Sequence, residues 1–586
     1  VFDLNFFSFY KVYYMKYFIK KIYSILFLVT ILVSGTETFS KGSKIEYSED
    51  NISNYFSGII SANQDYTRAA FKYLNKVQSL KNSHSNFNVQ FIHTLILLEK
   101  FKQAFAFSKS IWRADELFFE ADLLLGLESF INKDYLNAEK YFKRLNKISR
   151  YNLLFEDFLG NFLLAWSKAS ENNKKDSLKF LDKIPERYSN LKQIQNSFLQ
   201  CYFDTSETQA TFEHLIDNED FTFSRYNFFL ANYLLFKNKN IEAKKIISLS
   251  RKTYNSNLLI EQAENFILTE NNKKIKNFFN CRNPRDSIAE IFYIIANLYS
   301  TQKEYKLSNF YLKISLFLNN KFTPNKTLLA ENFFYQKKYE LSKKIYNSLK
   351  SIGPIYSWYA SKSIAIILSD TEGKEYSASN LENEFNLLSN PNFKHYYELA
   401  NFYKDNEYYK ESIKYYSLAL KNIRQDHSLI PKILDRRGTS YERLGDWEKA
   451  EKDLTESLRI LPDQAHVLNY LAYSWIEKKI NTGKALKMLK RATKLRKNDG
   501  YIIDSLGWAY YANKNYVDAE KFLQRAVELM PLDPIINDHY ADALWMLSKS
   551  IQARYFWKYV LSLDNAEERL KDNVGKKLIF GINKKL

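Results

Sequence analysis

The sequence predicts an all-α protein built from about fifteen helix-turn-helix units, and three observations carry this prediction. Gly (14) and Pro (9) are scarce among 586 residues, so the chain lacks the turn residues that an all-β protein with frequent hairpins needs. Hydrophobic residues make up 46% of the chain, which is enough to build a core. Small residues recur at intervals of about 34 residues, a period typical of stacked helical repeats.

The clearest unit covers residues 499–531. If Gly507 is position 8 of a repeat, Ala519 falls on position 20 and Ala526 on position 27. At these three positions two antiparallel helices come closest together, and only Gly, Ala or Ser fits without forcing them apart. Pro531 lacks a backbone donor and is expected to end the second helix.

Neighbouring units repeat the pattern, so that residues 431–563 form four clear repeats. Trp475 and Trp557 fall on positions that fill the space between helices, and we predict that both belong to the core. The small residues predicted to hold the helix pairs together are Gly438, Ala450, Ala472, Ala485, Gly507, Ala519, Ala526, Ala541 and Ala553.

These units contain the runs VLNYLAYSW, DGYIIDSLGWAYY and INDHYADALWM. In these runs the sequence resembles the tetratricopeptide repeat (TPR) family, specifically the last repeats of proteobacterial envelope proteins of that family. The resemblance covers about a quarter of the chain, residues 431–563. It implies a right-handed α-solenoid that binds a protein or peptide on its concave side, without catalysis.

The same spacing extends backwards through residues 41–430, where we predict degenerate repeats of the same kind. Residues 564–586 are predicted to form a capping helix, over about 565–573, and a basic tail. The predicted position-20 residues of the earlier units are Ala70, Ala104, Ala138, Ala243, Ser308, Ser342, Ala378 and Ser412.

The N-terminal residues 1–40 have the layout of an export signal. Lys16, Lys20 and Lys21 precede an uncharged apolar run over residues 22–33. Cleavage would release the chain into the periplasm, whereas an uncleaved segment would hold it at the membrane. Met15 offers an alternative start, which would make residues 1–14 an upstream extension.

Enzyme motifs are missing. No glycine spacing matches a dinucleotide-binding or phosphate-binding loop, and no two of the seven histidines are close enough for an HExxH metal motif. We therefore predict no catalytic residues, no cofactor and no metal. Cys201 and Cys281 are 80 positions apart, more than two repeats, so we expect them to be unpaired apolar side chains.

The net charge of +19 raises the possibility of a nucleic-acid or anionic-surface partner. The excess is spread along the whole chain and accompanies heavy use of Asn, Ile, Phe and Tyr, as an AT-rich genome imposes. A binding surface would concentrate its charge, so nucleic acid is a disfavoured partner.

The family resemblance implies that the first helix of each unit lines the concave wall, where Tyr and Trp stand beside Asp and Asn. Such aromatic anchors with polar neighbours are typical of protein interfaces. The alternative is that the rings stack on one another as core. The predicted partner-binding groove consists of Asn469, Tyr470, Tyr473, Tyr501, Asp504, Trp508, Tyr511, Asp538, Asp542 and Trp545.

The sequence thus predicts a non-enzymatic protein-interaction scaffold that is exported to the cell envelope and binds a partner with basic or amide-rich segments. Two alternatives remain open. One is a recruiter within an envelope polymer-secretion or cell-wall assembly, and the other is a basic binder of nucleic acid or anionic surfaces.

Overall fold

The computed structural model describes residues 48–148, 157–216, 224–253 and 257–582. Within these ranges the chain forms helices and connecting turns and contains no strand, which confirms the predicted all-α class. The predicted export signal and the last four residues lie outside the described ranges. None of the helices in the described ranges combines the length and the apolar character needed to cross a bilayer.

The described part of the chain divides into two compact units, with the boundary between Leu125 and Gly126 inside the fifth helix. In the first unit a 3₁₀ segment, Asn75–Asn82, connects the second and third helices. A cluster of stacked and edge-on rings from Phe87, Phe91 and Phe107 forms part of its core. The first four helices are α1 Glu49–Asn63, α2 Thr67–Leu74, α3 Ser85–Leu97 and α4 Phe101–Ile111.

The fifth helix and those that follow continue the pattern. Their bounds are α5 Phe119–Ile131, α6 Tyr135–Ile148, α7 Leu159–Ser170, α8 Lys174–Asp182, α9 Ser189–Tyr202, α10 Thr208–Ile216, α11 Ser224–Phe236, α12 Asn240–Thr253, α13 Leu258–Leu268, α14 Asn272–Phe278, α15 Pro284–Thr301, α16 Tyr305–Leu318, α17 Thr323–Tyr335 and α18 Tyr339–Leu349. The remaining helices are α19 Pro354–Thr371, α20 Lys374–Asn386, α21 Phe393–Asp405, α22 Tyr409–Asn422, α23 Ile430–Arg443, α24 Trp447–Ile460, α25 Ala465–Glu477, α26 Thr482–Leu495, α27 Gly500–Ala512, α28 Tyr516–Leu529, α29 Pro534–Met546, α30 Ser550–Leu561 and α31 Glu568–Phe580.

These helices form fifteen successive pairs, α1/α2 to α29/α30, followed by α31, among the residues that the structure describes. This number agrees with the predicted count of about fifteen. Each pair is joined by a tight turn in which one residue adopts a positive φ, which reverses the chain after the first helix. These turn residues are Asp65, Glu99, Lys133, Asn172, Asp204, Asn238, Glu270, Lys303, Lys337, Gly373, Glu407, Gly445, Lys479, Lys514 and Ser548.

Small residues lie where the two helices of a pair cross. All nine predicted packing residues are buried. At Gly507 an added Cβ would lie 2.6 Å from Leu523 Cγ and 3.1 Å from the Leu523 backbone nitrogen, so no methyl group fits there. Some earlier pairs have serine at the crossing; in one of them Ser342 Oγ donates to the Ala330 carbonyl of the other helix at 2.8 Å.

The prediction that Ala378 lies at the helix crossing is wrong by one residue. In the pair α19/α20 the side chain at the crossing is that of Ser377, which is fully buried and donates to the Ala365 carbonyl. Ala378 is the next residue and packs into the core cluster around Leu381 and Phe385 instead. Ser342, Ser377 and Ser412 are spaced 35 residues apart, whereas the prediction of Ala378 assumes the 34-residue period counted back from Ser412.

The middle of the second unit curls so far that first helices of distant pairs meet. Helix α15 packs against α7 and α9, and α13 packs against α19. An ion pair between Glu261 of α13 and Lys394, at the start of α21, joins residues 133 positions apart at 2.5 Å. The concave side of this region is therefore filled by the chain's own side chains.

The expectation that Cys201 and Cys281 are unpaired is wrong. The two residues form a disulfide, with their Cα atoms 5.9 Å apart. Cys201 lies in α9, and Cys281 directly precedes α15. The expectation assumes that distance grows with the number of intervening repeats, but the curl of the array brings these two first helices together. The Asp204 carboxylate beside the bridge pairs with Arg282 at 2.8 Å.

The C-terminal helix covers Glu568–Phe580, which is longer than the predicted cap over 565–573. It packs against α30 and extends the core of the last pair through Val574. Lys576 and Lys577, predicted to belong to a tail, are therefore part of this helix.

Candidate functional site

The ten residues of the predicted groove lie on α25, α27 and α29, which are the first helices of three consecutive pairs. Tyr501 is the most open, with 55% of its surface exposed. Asn469, Tyr470, Tyr473, Trp508 and Tyr511 are half-buried, whereas Asp504, Asp538 and Asp542 are buried.

Trp508 is at the centre of a stack of three rings. The centroid of its indole lies 4.0 Å from that of the His539 ring and 4.6 Å from that of the Tyr511 ring, and both rings are nearly parallel to the indole. The indole Nε1 donates to Glu477 Oε1 at 2.6 Å. His539 Nδ1 in turn lies 3.0 Å from Asp504 Oδ1. Helices α25, α27 and α29 are thus tied together by one continuous cluster.

Two tyrosines of α25 continue this surface. The hydroxyl of Tyr470 donates to Glu442 Oε2 on α23 at 2.8 Å. Burial, together with the carboxylates of Glu477 and Asp504, raises the pKa of Tyr473 above its usual range, so its phenol stays protonated at neutral pH. We call Tyr470, Tyr473, Tyr501, Trp508 and Tyr511 the aromatic groove.

The last wall of the predicted groove is occupied by the chain itself. The ammonium of Lys577 in α31 lies 2.7–2.9 Å from the carboxylate oxygens of both Asp538 and Asp542. Burial and the neighbouring Asp538 raise the pKa of Asp542 to about 6, although Lys577 opposes this shift. Trp545 Nε1 donates to the Ile582 carbonyl at 2.9 Å, and its ring lies 5.4 Å from that of Trp557.

One of these helix pairs matches a model of a known protein family. A model of the tetratricopeptide repeat family matches residues 394–426, which contain nearly all of α21 and the whole of α22. The helix-turn-helix pairing, the buried small residues at the crossings and this match agree with one another. The chain therefore contains a tetratricopeptide repeat, and its other helix pairs have the same helix-turn-helix form.

A curated protein gives a second match. The TPR repeat-containing protein PA4667 of Pseudomonas aeruginosa is 33% identical over 99 residues. This stretch is 17% of this chain and 17% of that protein, so the match spans well under two thirds of the relative's length.

Solved structures with similar repeats include MamA, residues 41 to the end, from Desulfovibrio magneticus RS-1, at 18% identity and a TM-score of 0.28, covering 31% of this chain and 99% of that one. TTC0263 of Thermus thermophilus has 17% identity and a TM-score of 0.28, covering 32% and 99%. The C-terminal part of a TPR repeat-containing protein from Cytophaga hutchinsonii has 15% identity and a TM-score of 0.31, covering 42% and 97%.

The buried aspartates of these first helices have partners on the next first helix or, at the end of the array, on α31. Asp435 lies 3.4 Å from His466, Asp504 pairs with His539, and Asp538 pairs with Lys577. The acidic lining thus binds neighbouring helices of the array together. Sequence reasoning missed Lys577 and the role of His539, because the spacing gives no sign of which cation the next helix presents.

Asn469 takes the equivalent position on α25, and its Oδ1 is buried without a hydrogen-bond partner. The prediction that Trp475 and Trp557 belong to the core is confirmed, since both are buried in core clusters. In the part of the chain that the structure describes, no group of three His, Cys, Asp or Glu side chains is arranged to hold a metal ion.

Proposed function

We propose that this protein is an interaction scaffold of the cell envelope that binds a basic segment of a partner protein in the aromatic groove. Tetratricopeptide repeats commonly serve as protein-binding scaffolds. The observation that supports this groove is the half-open stack of Trp508 and Tyr511 beside the exposed ring of Tyr501. Partly exposed aromatic rings held rigidly by packing are typical binding anchors.

The charge around the groove favours a basic partner. Glu442 and Glu477 accept hydrogen bonds from Tyr470 and Trp508, so their carboxylates lie at the edge of the rings. The aspartates are buried and already paired within the array, whereas Glu477 is exposed and Glu442 is half-buried with Arg443 3.8 Å away, so these two glutamates are the more accessible acidic groups. A Lys or Arg side chain there can pair with a glutamate and lie over an aromatic face.

Two observations support export. Lysines at positions 16, 20 and 21 precede an apolar run over residues 22–33, and Cys201 is bonded to Cys281. Disulfides form and persist in oxidising compartments such as the periplasm. Thiol alkylation of the chain in intact cells tests this point: we expect both cysteines to resist alkylation until a reductant is added. Alkylation of both without reductant would place the protein in a reducing compartment.

Photo-crosslinking in intact cells tests the groove. A photoreactive amino acid at Tyr501 should capture a protein, whereas the same group at Tyr376 on the second helix α20 should not. The two tyrosines are equally exposed, at 55% and 53%, so accessibility is matched. Peptides spanning the captured segment should bind the purified protein, and replacing their Lys and Arg by Ala should weaken binding about tenfold or more.

Other outcomes would contradict the proposal. Equal capture from Tyr376 would show that the groove is not selective. Capture of nucleic acid at Tyr501 would favour the alternative of a basic nucleic-acid binder. Capture of a synthase or secretion subunit would support the binding groove and would identify the scaffold as a recruiter within that assembly.

A further inference from the structure

A cluster of exposed apolar side chains lies at the C-terminal end of the array. Ile551 and Tyr555 lie one turn apart on α30 and are 86% and 67% exposed, and Ile579 and Phe580 end α31 with 68% and 81% exposed. The Arg554 Nε donates to the Leu578 carbonyl at 3.2 Å, which holds the end of α31 beside this face of α30. We call Ile551, Tyr555, Ile579 and Phe580 the end patch.

The residues next to the end patch in sequence are mainly basic, and the exception is Asp572 of α31, which is exposed and lies two turns before Phe580. Helix α30 contains Arg554 and Lys558 but no Asp or Glu, and the last fourteen residues of the sequence contain four lysines and no acidic residue. Lys577 is neutralised by Asp538 and Asp542, whereas Arg554, Lys558 and Lys576 are exposed. Exposed apolar groups of this size in one place mark interaction surfaces.

The charge decides between two kinds of occupant. Pairing the patches of two copies of this chain would bring two basic surfaces together, and their repulsion opposes such a dimer. A bilayer that carries anionic lipids offers the complementary charge, and its headgroup boundary accepts apolar side chains flanked by Lys and Arg.

We propose that the end patch docks this end of the protein onto an anionic lipid surface. Ile551, Tyr555, Ile579 and Phe580 enter the headgroup boundary, and the neighbouring cations contact lipid phosphates. The patch shares no residue with the aromatic groove. A scaffold docked in this way holds its partner near the membrane while leaving α25 and α27 free.

A local fluorescent probe tests the docking in the full chain, where an apolar N-terminal segment would complicate a simple vesicle-binding assay. A polarity-sensitive dye attached through Gln552→Cys, next to the end patch, should shift to shorter wavelength with vesicles of phosphatidylcholine and phosphatidylglycerol. The same dye at Val517→Cys, an exposed position on α28, should not shift. High salt should weaken the response, because screening reduces the attraction.

Two variants separate the contribution of the apolar side chains from that of the positive charge. Ile579→Ser with Phe580→Ser should abolish the shift at Gln552→Cys, and Lys576→Glu should weaken vesicle affinity about fivefold or more. Both alter exposed side chains, so the helical melting curve should stay that of the parent chain. A matched control is Leu136→Ser, which removes an 80% exposed apolar side chain elsewhere and should have no effect.

Three results would overturn the proposal. An equal shift with vesicles of phosphatidylcholine alone would remove the role of charge. An unchanged shift in the double serine variant would remove the role of the patch. A dimer in light scattering that Phe580→Ser dissolves would show that the patch binds a second copy.

Discussion

His539 Nδ1 and Asp504 Oδ1 are 3.0 Å apart and join the first helices of two consecutive repeats. Burial alone would lower the pKa of His539, but the carboxylates of Asp504, Asp538 and Asp542 outweigh it and raise that pKa. The pair therefore couples the packing of α27 and α29 to pH.

The sign of this coupling follows from the raised pKa. The histidine stabilises the folded state fully below its unfolded pKa of about 6.5, and this contribution is lost as pH rises through the higher folded pKa. Asp542, whose pKa is raised to about 6, acts in the same direction. We expect the end of the array to melt at a lower temperature at pH 8 than at pH 6.

His539→Gln tests this prediction, because glutamine keeps a donor for Asp504 but cannot become charged. Thermal melts of the parent and the variant across this pH range should show a smaller pH dependence in the variant. Because His539 also lowers the pKa of Asp542, the difference between the two curves reports on the histidine together with this neighbouring carboxylate. Identical pH dependence would refute the coupling.

The close approach of α27 and α28 at Gly507 gives a second prediction. An added methyl group would collide with Leu523, including its backbone nitrogen, so Gly507→Ala should lower the free energy of unfolding by about 1–3 kcal/mol. Ala519→Leu at the same crossing should cost a similar amount. Denaturant unfolding measures both.

Gly575→Ala is the matched control. Gly575 lies inside α31, and nothing lies within 4 Å of an added Cβ there. The same substitution should therefore stabilise this helix by about 0.5–1 kcal/mol, because alanine is the better helix former. A loss of stability equal to that of Gly507→Ala would show that steric contact is not the cause.

The repeat itself was predictable because the cause of the spacing is local. Gly507, Ala519 and Ala553 are small because a neighbouring helix touches them, and that requirement recurs with every pair. The turns between helices were harder to predict from the sequence. Lys303, Lys337 and other non-glycine residues occupy most of the left-handed positions, so the chain marks its turns with few glycines.

The disulfide and the position of Lys577 could not be predicted, because both depend on contacts between residues far apart in the sequence. The curl that brings Cys201 to Cys281 arises from how the pairs between them pack, where α14 has only 7 residues and the following α15 has 18. Likewise, the acidic wall of Asp538 and Asp542 suggested a basic partner. The structure places Lys577 there, because α31 folds back onto α29.

Trp545 and Tyr501 should behave differently, although both belong to the predicted groove. Trp545 contacts Trp557, the Arg554 guanidinium and the Ile582 carbonyl, and so anchors the C-terminal segment. Trp545→Ala should lower the free energy of unfolding by about 2–4 kcal/mol. Tyr501→Ala should change it by less than about 0.5 kcal/mol, because the ring is largely exposed.

The two variants should affect partner capture in the opposite order: per folded molecule, Tyr501→Ala should reduce capture more than Trp545→Ala. Tyr501→Ala should weaken capture at the groove, whereas Trp545→Ala should affect it only through loss of folded protein. Calorimetric melts and a pull-down of the crosslinked partner measure the two effects. If the Trp545→Ala variant is folded and stable but fails to capture the partner, Trp545 itself contributes to the binding surface.

The disulfide between Cys201 and Cys281 gives the last prediction. It closes a loop of 80 residues, and removing it enlarges the unfolded ensemble, so reduction should cost about 2–4 kcal/mol of stability. Because repeats unfold with some independence of one another, the loss should be concentrated where α9 and α15 meet. Hydrogen exchange with and without reductant should show faster exchange in α7, α9 and α15.

The variant Cys201→Ser with Cys281→Ser provides the control. It should show the faster exchange without reductant and should not respond when reductant is added. Helices α25 to α29 should exchange at the parental rate in every sample, because they make no contact with the bridge. Unchanged protection of α9 and α15 on reduction would mean that other contacts at this junction, such as the Asp204–Arg282 ion pair and the Phe198–Phe279 ring contact, suffice to hold it together.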